Sequence, residues 1–456
     1  MTTPKPVPLD APTLLAEIDE GIVDTVVVGF TDMQGRLQGK RIHGTHFAEE
    51  VLGHGTEGCN YLLAVDIDMN TVSGYAMSSW DSGYGDMDLK PDLATLHRIP
   101  WMEGAVGVLC DVQWPDHSPV VASPRQILRR QVDRLAEQGM VAMCGTELEF
   151  IVFLDSFEEA WESGYRDLTP ANQYNIDYSI LGGARVEPLL RRIRLAMAGA
   201  GLQVESAKGE CNLGQHEIAF RYTDALTTCD RHVIYKNGSK EIAAQEGMSL
   251  TFMAKYNERE GNSCHIHLSF RGQDGSMVMA DDADPQGLSA LGRAFIAGQL
   301  AHMEELTLLF APTINSYKRY VEGSFAPTAL RWGRDNRTCA LRLVGRGPSL
   351  RVENRVPGGD VNPYLAVAGI IAAGLDGIER DLPLEPIFTG NAYADTSRRV
   401  PDSLAKAVDL WSSSEWVRET FGEEVQAHYA RMGQVELEAF GRAVTDWERY
   451  RGFERL

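Results

Sequence analysis

The stretch Thr146-Glu147-Leu148-Glu149-Phe150-Ile151-Val152-Phe153 sets two acids at alternate positions of a run that otherwise reads as a buried β-strand. Side chains two apart on a strand share a face, so Glu147 and Glu149 stand side by side. At about 4 Å and an effective dielectric near 20, two carboxylates repel by on the order of 4 kcal/mol. A chain that keeps such a pair on an apolar strand needs cationic partners, and they must come from elsewhere in the sequence.

The same alternation recurs. In "ESAKGECNLGQHEIAFRY", Glu210 and Glu217 flank a glycine-containing turn, and a strand-like run follows. In "EGNSCHIHLSF", His265, His267 and Ser269 share one face while Ile266, Leu268 and Phe270 take the other. In "SLRVENRVPGGD", Glu353 and Arg355 alternate with Val352 and Val356. Taken singly, each pattern also fits a solvated strand face, an ion pair or a hydrogen-bonded core pair. Together they offer carboxylate or imidazole on strand after strand. Shared divalent cations would relieve the repulsion, and oxygen ligands with one histidine suit Mg²⁺ or Mn²⁺ better than Zn²⁺. Between residues 319 and 355 the chain adds eight arginines. Arg331, Arg334 and Arg346 read as surface charges. Arg337 and Arg342 sit among small or apolar residues, where a charge needs a partner such as a carboxylate or phosphate.

A net charge of −21 argues against a general nucleic-acid or anionic-membrane binder. Seven cysteines without a CxxC pair point to reduced thiols, and the Pro-rich start "MTTPKPVPLDAP" lacks an apolar signal core, so a cytoplasmic protein is expected. Residues 1–12 read as a loose tail. Val26–Phe30 and Leu37–Ile42 form a predicted hairpin, residues 61–92 read as long loops, and 105–112 as a strand. A boundary near 115–123 separates a small β-rich domain (13–115) from a larger α+β domain (120–456). In the latter, Ser123-Pro124 opens a helix that Gly139 ends. Further helices are predicted over 184–200, 224–246, 287–309, 362–380, 402–422 and 432–445. Strands are predicted near 203–206, 215–222, 249–254, 264–270 and 338–344.

The motifs "TELEF", "KGECNLGQHEI", "GNSCHIHLS", "APTINSYKR", "RDNRTCALR" and "VENRVPGGDVNPYLA", in this order, resemble those of the glutamine synthetase family in its type I-like branch, over nearly the whole chain. The resemblance implies a β-grasp-like N-terminal domain and a catalytic α+β domain with a curved antiparallel sheet. It implies metal ligation by Glu149, Glu210 and Glu217 on one side and by Glu147, His265 and Glu353 on the other. ATP would meet Glu205, His267 and Ser269, with Arg342 near its phosphates. L-glutamate would be held by Gly261, Arg319, Arg337 and Arg355, with Arg337 also serving the phosphoryl group and Glu353 placed at the reacting centre. The implied reaction is ATP-dependent formation of a γ-glutamyl amide through γ-glutamyl phosphate. The implied assembly is a homo-oligomer, a ring of six or a stacked dodecamer.

Departures from the family pattern bear on the amine. The gating loop that reads GYEAP in ammonia-using type I members is here Gly323-Ser324-Phe325-Ala326-Pro327, with Phe325 in place of the acid. The N-terminal FDGSS loop is replaced by "LLAVDIDMNTVSGY", where Asp66 and Asp68 are the available acids, and the Asn-Gly before His265 becomes Glu260-Gly261. Ammonium must be desolvated and deprotonated in a negatively charged pocket, whereas a phenyl ring favours an organic amine. Within the family the whole chain resembles the γ-glutamylethanolamide synthetases most, in runs such as "FTDMQGRLQGKRI", "YNIDYSIL" and "TDWERYRGFERL", with the γ-glutamylpolyamine synthetases next. Ethanolamine is the expected primary amine, with polyamine and ammonium as the alternatives.

Overall fold

The computed structural model describes residues 9–456, and the first eight residues of the predicted N-terminal tail lie outside the described residues. The rest of that tail is not loose: a helix begins at Ala11, where Asp10 accepts the Thr13 N–H as its N-cap and Pro12 occupies the first turn.

Six strands build the first sheet: β1 (Thr25–Thr31), β2 (Leu37–His43), β3 (Thr56–Cys59), β4 (Asp86–Pro91), β5 (His97–Arg98) and β6 (Ala105–Gln113). Their order is β2-β1-β6-β4-β3, with β5 also on β6; β1 and β6 run parallel and the other pairs antiparallel. β4 falls inside the segment read as loop, and a 3-10 turn spans Asn60–Leu63. Met87 and Leu89 of β4 bury alternate positions, a signal too short to stand out among the surrounding Gly, Ser and Asp.

The β1–β2 hairpin turns through Gly35 at φ +78, where a Cβ would sit 3.1 Å from the backbone of Asn362. Asn362 caps the helix Pro363–Glu379 through the Tyr364 N–H and donates its amide to the carbonyls of Asp32 and Met33. One side chain therefore starts a catalytic-domain helix and pins the N-terminal hairpin to it.

Nine strands form the second sheet: β7 (Met140–Phe153), β8 (Val204–Gly209), β9 (Gln215–Phe220), β10 (Thr223–Asp224), β11 (Ser249–Thr251), β12 (Cys264–Gly272), β13 (Trp332–Arg334), β14 (Leu341–Val344) and β15 (Arg351–Asn354). The order is β13-β14-β15-β12-β7-β9-β8, with β10 and β11 also on β7. This sheet is mixed, not wholly antiparallel as expected, because β13 and β14 run parallel. β14 starts at Leu341, later than predicted, since Asn336 draws the Thr338 N–H into a turn.

One face of this sheet is apolar. Leu148, Phe150, Ile218, Ile266, Leu268 and Val352 are buried in a single core with residues of the helices Pro124–Glu137, Ala225–Gln245 and Pro363–Glu379. Each large side chain so buried contributes about 2–3 kcal/mol relative to exposure. The helix predicted over 402–422 is two helices. Ser414 ends Leu404–Ser413 and, by accepting the Val417 N–H, starts Glu415–Phe421. The helix predicted from 432 begins earlier, at Glu423, and the one predicted over 287–309 divides into Ala290–His302 and Thr307–Phe310. No described helix is long and apolar enough to cross a membrane.

Candidate active site

Strand register assembles the other face of the second sheet. His265 pairs with Glu147 across β12 and β7, and His267 pairs with Glu353 across β12 and β15. Arg342 of β14 stands opposite Glu353, Glu149 of β7 opposite Glu217 of β9, and Lys208 of β8 opposite Glu217. Directly paired residues share a face. Six strands thus deliver carboxylates, imidazoles and cations to one surface, opposite the apolar core.

Two groups of metal-competent atoms result on this face, and Asp177, Glu210 and Cys211 make a third at its edge. Oxygens of Glu149, Glu210 and Glu217 lie within 4.8 Å of one another, and so do atoms of Glu147, His267 and Glu353. His265 faces the second group, its Nδ1 3.6 Å from Glu147 and 3.5 Å from Glu353, while His267 Nε2 lies 2.9 Å from Glu147. Glu149 Oε2 accepts the Ser263 N–H at 2.7 Å and the Gln215 amide at 3.1 Å. Those two donors fix the carboxylate's direction, as outer partners of metal ligands do.

The electrostatics differ between the groups. Glu353 is fully buried, its oxygens accepting from Arg342 at 2.9 Å and Arg355 at 2.6 Å. Burial opposes its ionisation, yet His265, Arg355, His267 and Arg342 together hold its carboxyl down at about 2. Burial likewise opposes the charge on Glu147, which hydrogen bonds from His265 and His267 hold well below the usual carboxylate range. Burial, and next the Arg355 charge, push the His265 imidazole down, leaving it neutral and able to offer a lone pair. Glu217 goes the other way. Burial first, then Glu147, Glu149 and Glu353, push its carboxyl up to about 8 against the pull of Lys208. Crowded oxygen donors with one carboxyl so hard to ionise fit a hard divalent cation, which would remove the repulsion.

A cavity of about 330 Å³ opens over this face, lined by Glu147, Glu149, Glu210, Glu217, His265, Glu353, Gly261, Arg337, Arg342, Arg355 and Phe325. A second, of about 400 Å³, is lined by Glu205, His267 and Ser269 and shares Glu147 with the first. The two histidines two residues apart therefore serve different cavities. Gly261 lies against the Ala254 carbonyl, which a Cβ would meet at 2.1 Å, so only glycine brings the backbone this close. Arg337 is exposed and forms no ion pair among the described residues. Phe325 is 53% exposed at φ +57, and its carbonyl accepts from Arg355 Nη2 at 3.2 Å.

Two residues stand apart from the roles implied by the sequence motifs. Arg319 is buried and does not line the cavity. Its guanidinium donates to the carbonyls of Val356 and Arg355 and to Ser263 Oγ, bracing the strand ends behind Gly261. Arg342 lines the cavity of the carboxylates, bound to Glu353 and Asp335, and not that of Glu205 and Ser269. Arg331 and Arg334 are engaged elsewhere, on Glu385 and on main-chain carbonyls, as surface charges would be. Asp66 lines a separate cavity at the seam between the two sheets' domains.

Lys208, Asp335 and Arg351 escaped the sequence reading. Lys208 contacts Glu210, and Arg351 donates to His267 Nδ1 at 3.2 Å. The signal was present for Arg351, which stands two residues before Glu353 on β15 and so shares its face.

A family model for the glutamine synthetase catalytic domain matches residues 121–451. The chain is 64% identical over 449 residues to gamma-glutamylethanolamide synthetase GlnA4 of Streptomyces coelicolor, covering 98% of this chain and 96% of that protein. It is 37% identical over 437 residues to a glutamate–isopropylamine ligase of Pseudomonas sp, covering 94% and 95% respectively. Among solved structures, an ADP complex of GmaS aligns with a TM-score of 0.86 at 27% identity, covering 97% of this chain and 99% of that one. With its carboxylates, imidazoles and arginines gathered on one sheet face in the order of the six motifs, this chain belongs to the glutamine synthetase family.

Proposed function

We propose that this protein is an ATP-dependent ligase that joins the γ-carboxylate of L-glutamate to ethanolamine. The observation that carries the choice of amine is the 64% identity, over 98% of the chain, to a protein named gamma-glutamylethanolamide synthetase. Phe325 supports it from within the site: a phenyl ring lines the cavity where ammonia-using relatives carry an acid. A polyamine ligase is the second reading, and glutamine synthesis from ammonium the third.

In the proposed reaction a γ-carboxylate oxygen of glutamate attacks the γ-phosphorus of ATP, giving γ-glutamyl phosphate and ADP. The amine nitrogen then attacks the acyl carbon, loses a proton, and inorganic phosphate leaves. Arg355 and Arg337 are the guanidiniums available to the glutamate and to the transferring phosphoryl group, and Gly261 offers main-chain atoms at the same cavity. Glu205, His267 and Ser269 line the adjoining cavity, which suits the nucleotide, and Glu147 bridges the two. Magnesium or manganese would be held by Glu149, Glu210 and Glu217 and by Glu147, His265 and Glu353. When bound, these cations would neutralise the carboxylates and polarise phosphate oxygens.

The carboxylate cavity takes its lining from residue 147 onward and none from the N-terminal domain of the same chain. We therefore expect a homo-oligomer, a ring of six or a dodecamer, in which a neighbouring subunit's N-terminal domain completes the site. Mass-spectrometric identification of the product after incubation with glutamate, ATP and a mixture of ethanolamine, putrescine and ammonium tests the reading. γ-Glutamylethanolamide should dominate, and predominance of glutamine would overturn it.

A further inference from the structure

Lys208 stands directly opposite Glu217 in the strand register, and its side chain lies on the face that carries the acids. Its ammonium contacts Glu210 and lies 3.8 Å from Glu217. These are two of the three glutamates whose oxygens converge within 4.8 Å. A lysine ammonium and a divalent cation thus seek the same oxygens from opposite sides. From that same position the ammonium lies 5.0 Å from the centre of the Tyr178 ring, whose face offers it a direction in which to withdraw from the carboxylates.

We propose that Lys208 is a built-in competitor at the three-carboxylate centre. This rests on reading that cluster as a metal centre. Without metal, the ammonium neutralises Glu210 and holds the crowded acids together. An arriving dication repels it toward the Tyr178 face and takes over the oxygens. No bond is made or broken; one cation replaces another. Mass action then sets the consequence. If the ammonium occupies the oxygens nine-tenths of the time, the apparent metal affinity of this centre is about ten-fold weaker than the carboxylates alone would give. The Glu147–Glu353 group is unaffected, because its neutralising partners are the guanidiniums of Arg342 and Arg355. Lys208 in this account is a positioning residue for the centre, not a catalytic one.

The test is Mn²⁺ titration of the full-length assembled protein, followed by electron paramagnetic resonance and by calorimetry, with Lys208→Met and Lys208→Arg beside the wild type. The methionine keeps the stem against Tyr178 and removes the charge; Lys208→Gln substitutes for it if the methionine variant fails to assemble. The expected result is that one class of Mn²⁺ sites tightens about ten-fold in the uncharged variants, the other stays within two-fold, and Lys208→Arg behaves as wild type. The uncharged variants should also melt at lower temperature in EDTA, with Mn²⁺ restoring the loss. Unchanged or weaker binding in the uncharged variants overturns this inference alone. Absence of Mn²⁺ uptake by the wild type overturns it together with the metal reading above.

Discussion

Glu353 and Glu217 are buried glutamates on the same face of the same sheet, yet burial and surroundings hold one at about 2 and push the other up to about 8. The difference lies in which strands flank them. Glu353 sits between β14 and β12, which bring Arg342 and two histidines, while its own strand end adds Arg355. Glu217 sits between β7 and β8, which bring Glu149 and a single lysine. One half of the site is charge-balanced by the protein itself, and the other is left short of positive charge. An imbalance of that kind stabilises whatever cation arrives, and it marks the three-carboxylate half as the one whose properties depend most on metal.

Breaking the balanced half should have the largest effect. Arg355→Met leaves a fully buried carboxylate with one guanidinium fewer, and breaking such a pair costs about 3–5 kcal/mol. Thermal unfolding should show a large drop in midpoint, and amide formation should fall by about a thousand-fold or more, since the same side chain lines the carboxylate cavity proposed to hold glutamate. A midpoint within a degree of wild type would contradict the claimed balance.

In the unbalanced half the sign of the stability effect reverses. A carboxyl raised from 4.5 to about 8 holds a proton in the native state that the unfolded chain has released. Its stabilising contribution is therefore full below pH 4.5 and is lost as pH rises through about 8, a change of roughly 3–5 kcal/mol. Glu217→Gln should flatten that decline in EDTA and make the metal-free protein more stable at pH 8, while weakening Mn²⁺ uptake by about a hundred-fold. Denaturation across pH 5 to 8, with and without metal, reads both effects. A glutamine variant less stable than wild type in EDTA would remove the contrast between the halves.

Smaller effects belong to the rim and to buried groups outside both halves. Phe325→Glu restores an acid at the amine end of the cavity and should raise the use of ammonium relative to ethanolamine by about ten-fold, read from competing-substrate product ratios. Equal ratios would mean that the loop does not choose the amine. Outside both groups, burial pushes the His232 imidazole, which lies behind β7 against Thr146, down to about 3 and the His428 imidazole down to about 4. Each binds its proton more readily when unfolded, so stability is lost as pH falls below about 6.5, by up to about 1.4 kcal/mol per unit for each histidine. His428→Asn should lessen that acid slope, and an unchanged slope would count against burial as its cause.

The period-two pattern made much of the site legible. It set Glu147 beside Glu149 and His265 beside His267, and the apolar residues between them pointed to a core on the opposite side. Helix starts were readable where proline sits in the first turn, as at Pro124, although Ser123 makes no side-chain cap bond there. What remained hidden depends on register and direction. That Lys208 meets Glu217 follows from how β8 and β9 align past a bulge at Glu205, and no local pattern encodes that alignment. Arg319 looks like a ligand-binding arginine in sequence, yet its guanidinium is spent on main-chain carbonyls behind the cavity wall. Asp335 is exposed and stands seven residues before the Arg342 it binds, so only the fold reveals the pair. The division at Ser414 was masked because serine is tolerated within a helix as readily as it begins one.

Arg355 has two tasks at once, since one nitrogen grips Glu353 and another carries the Phe325 carbonyl. The loop at the cavity rim is consequently moored to the buried carboxylate of Glu353, and neither can shift without tugging the other. A displacement of the loop would reach Glu353 through this tether, whose far end is a residue held in the left-handed region.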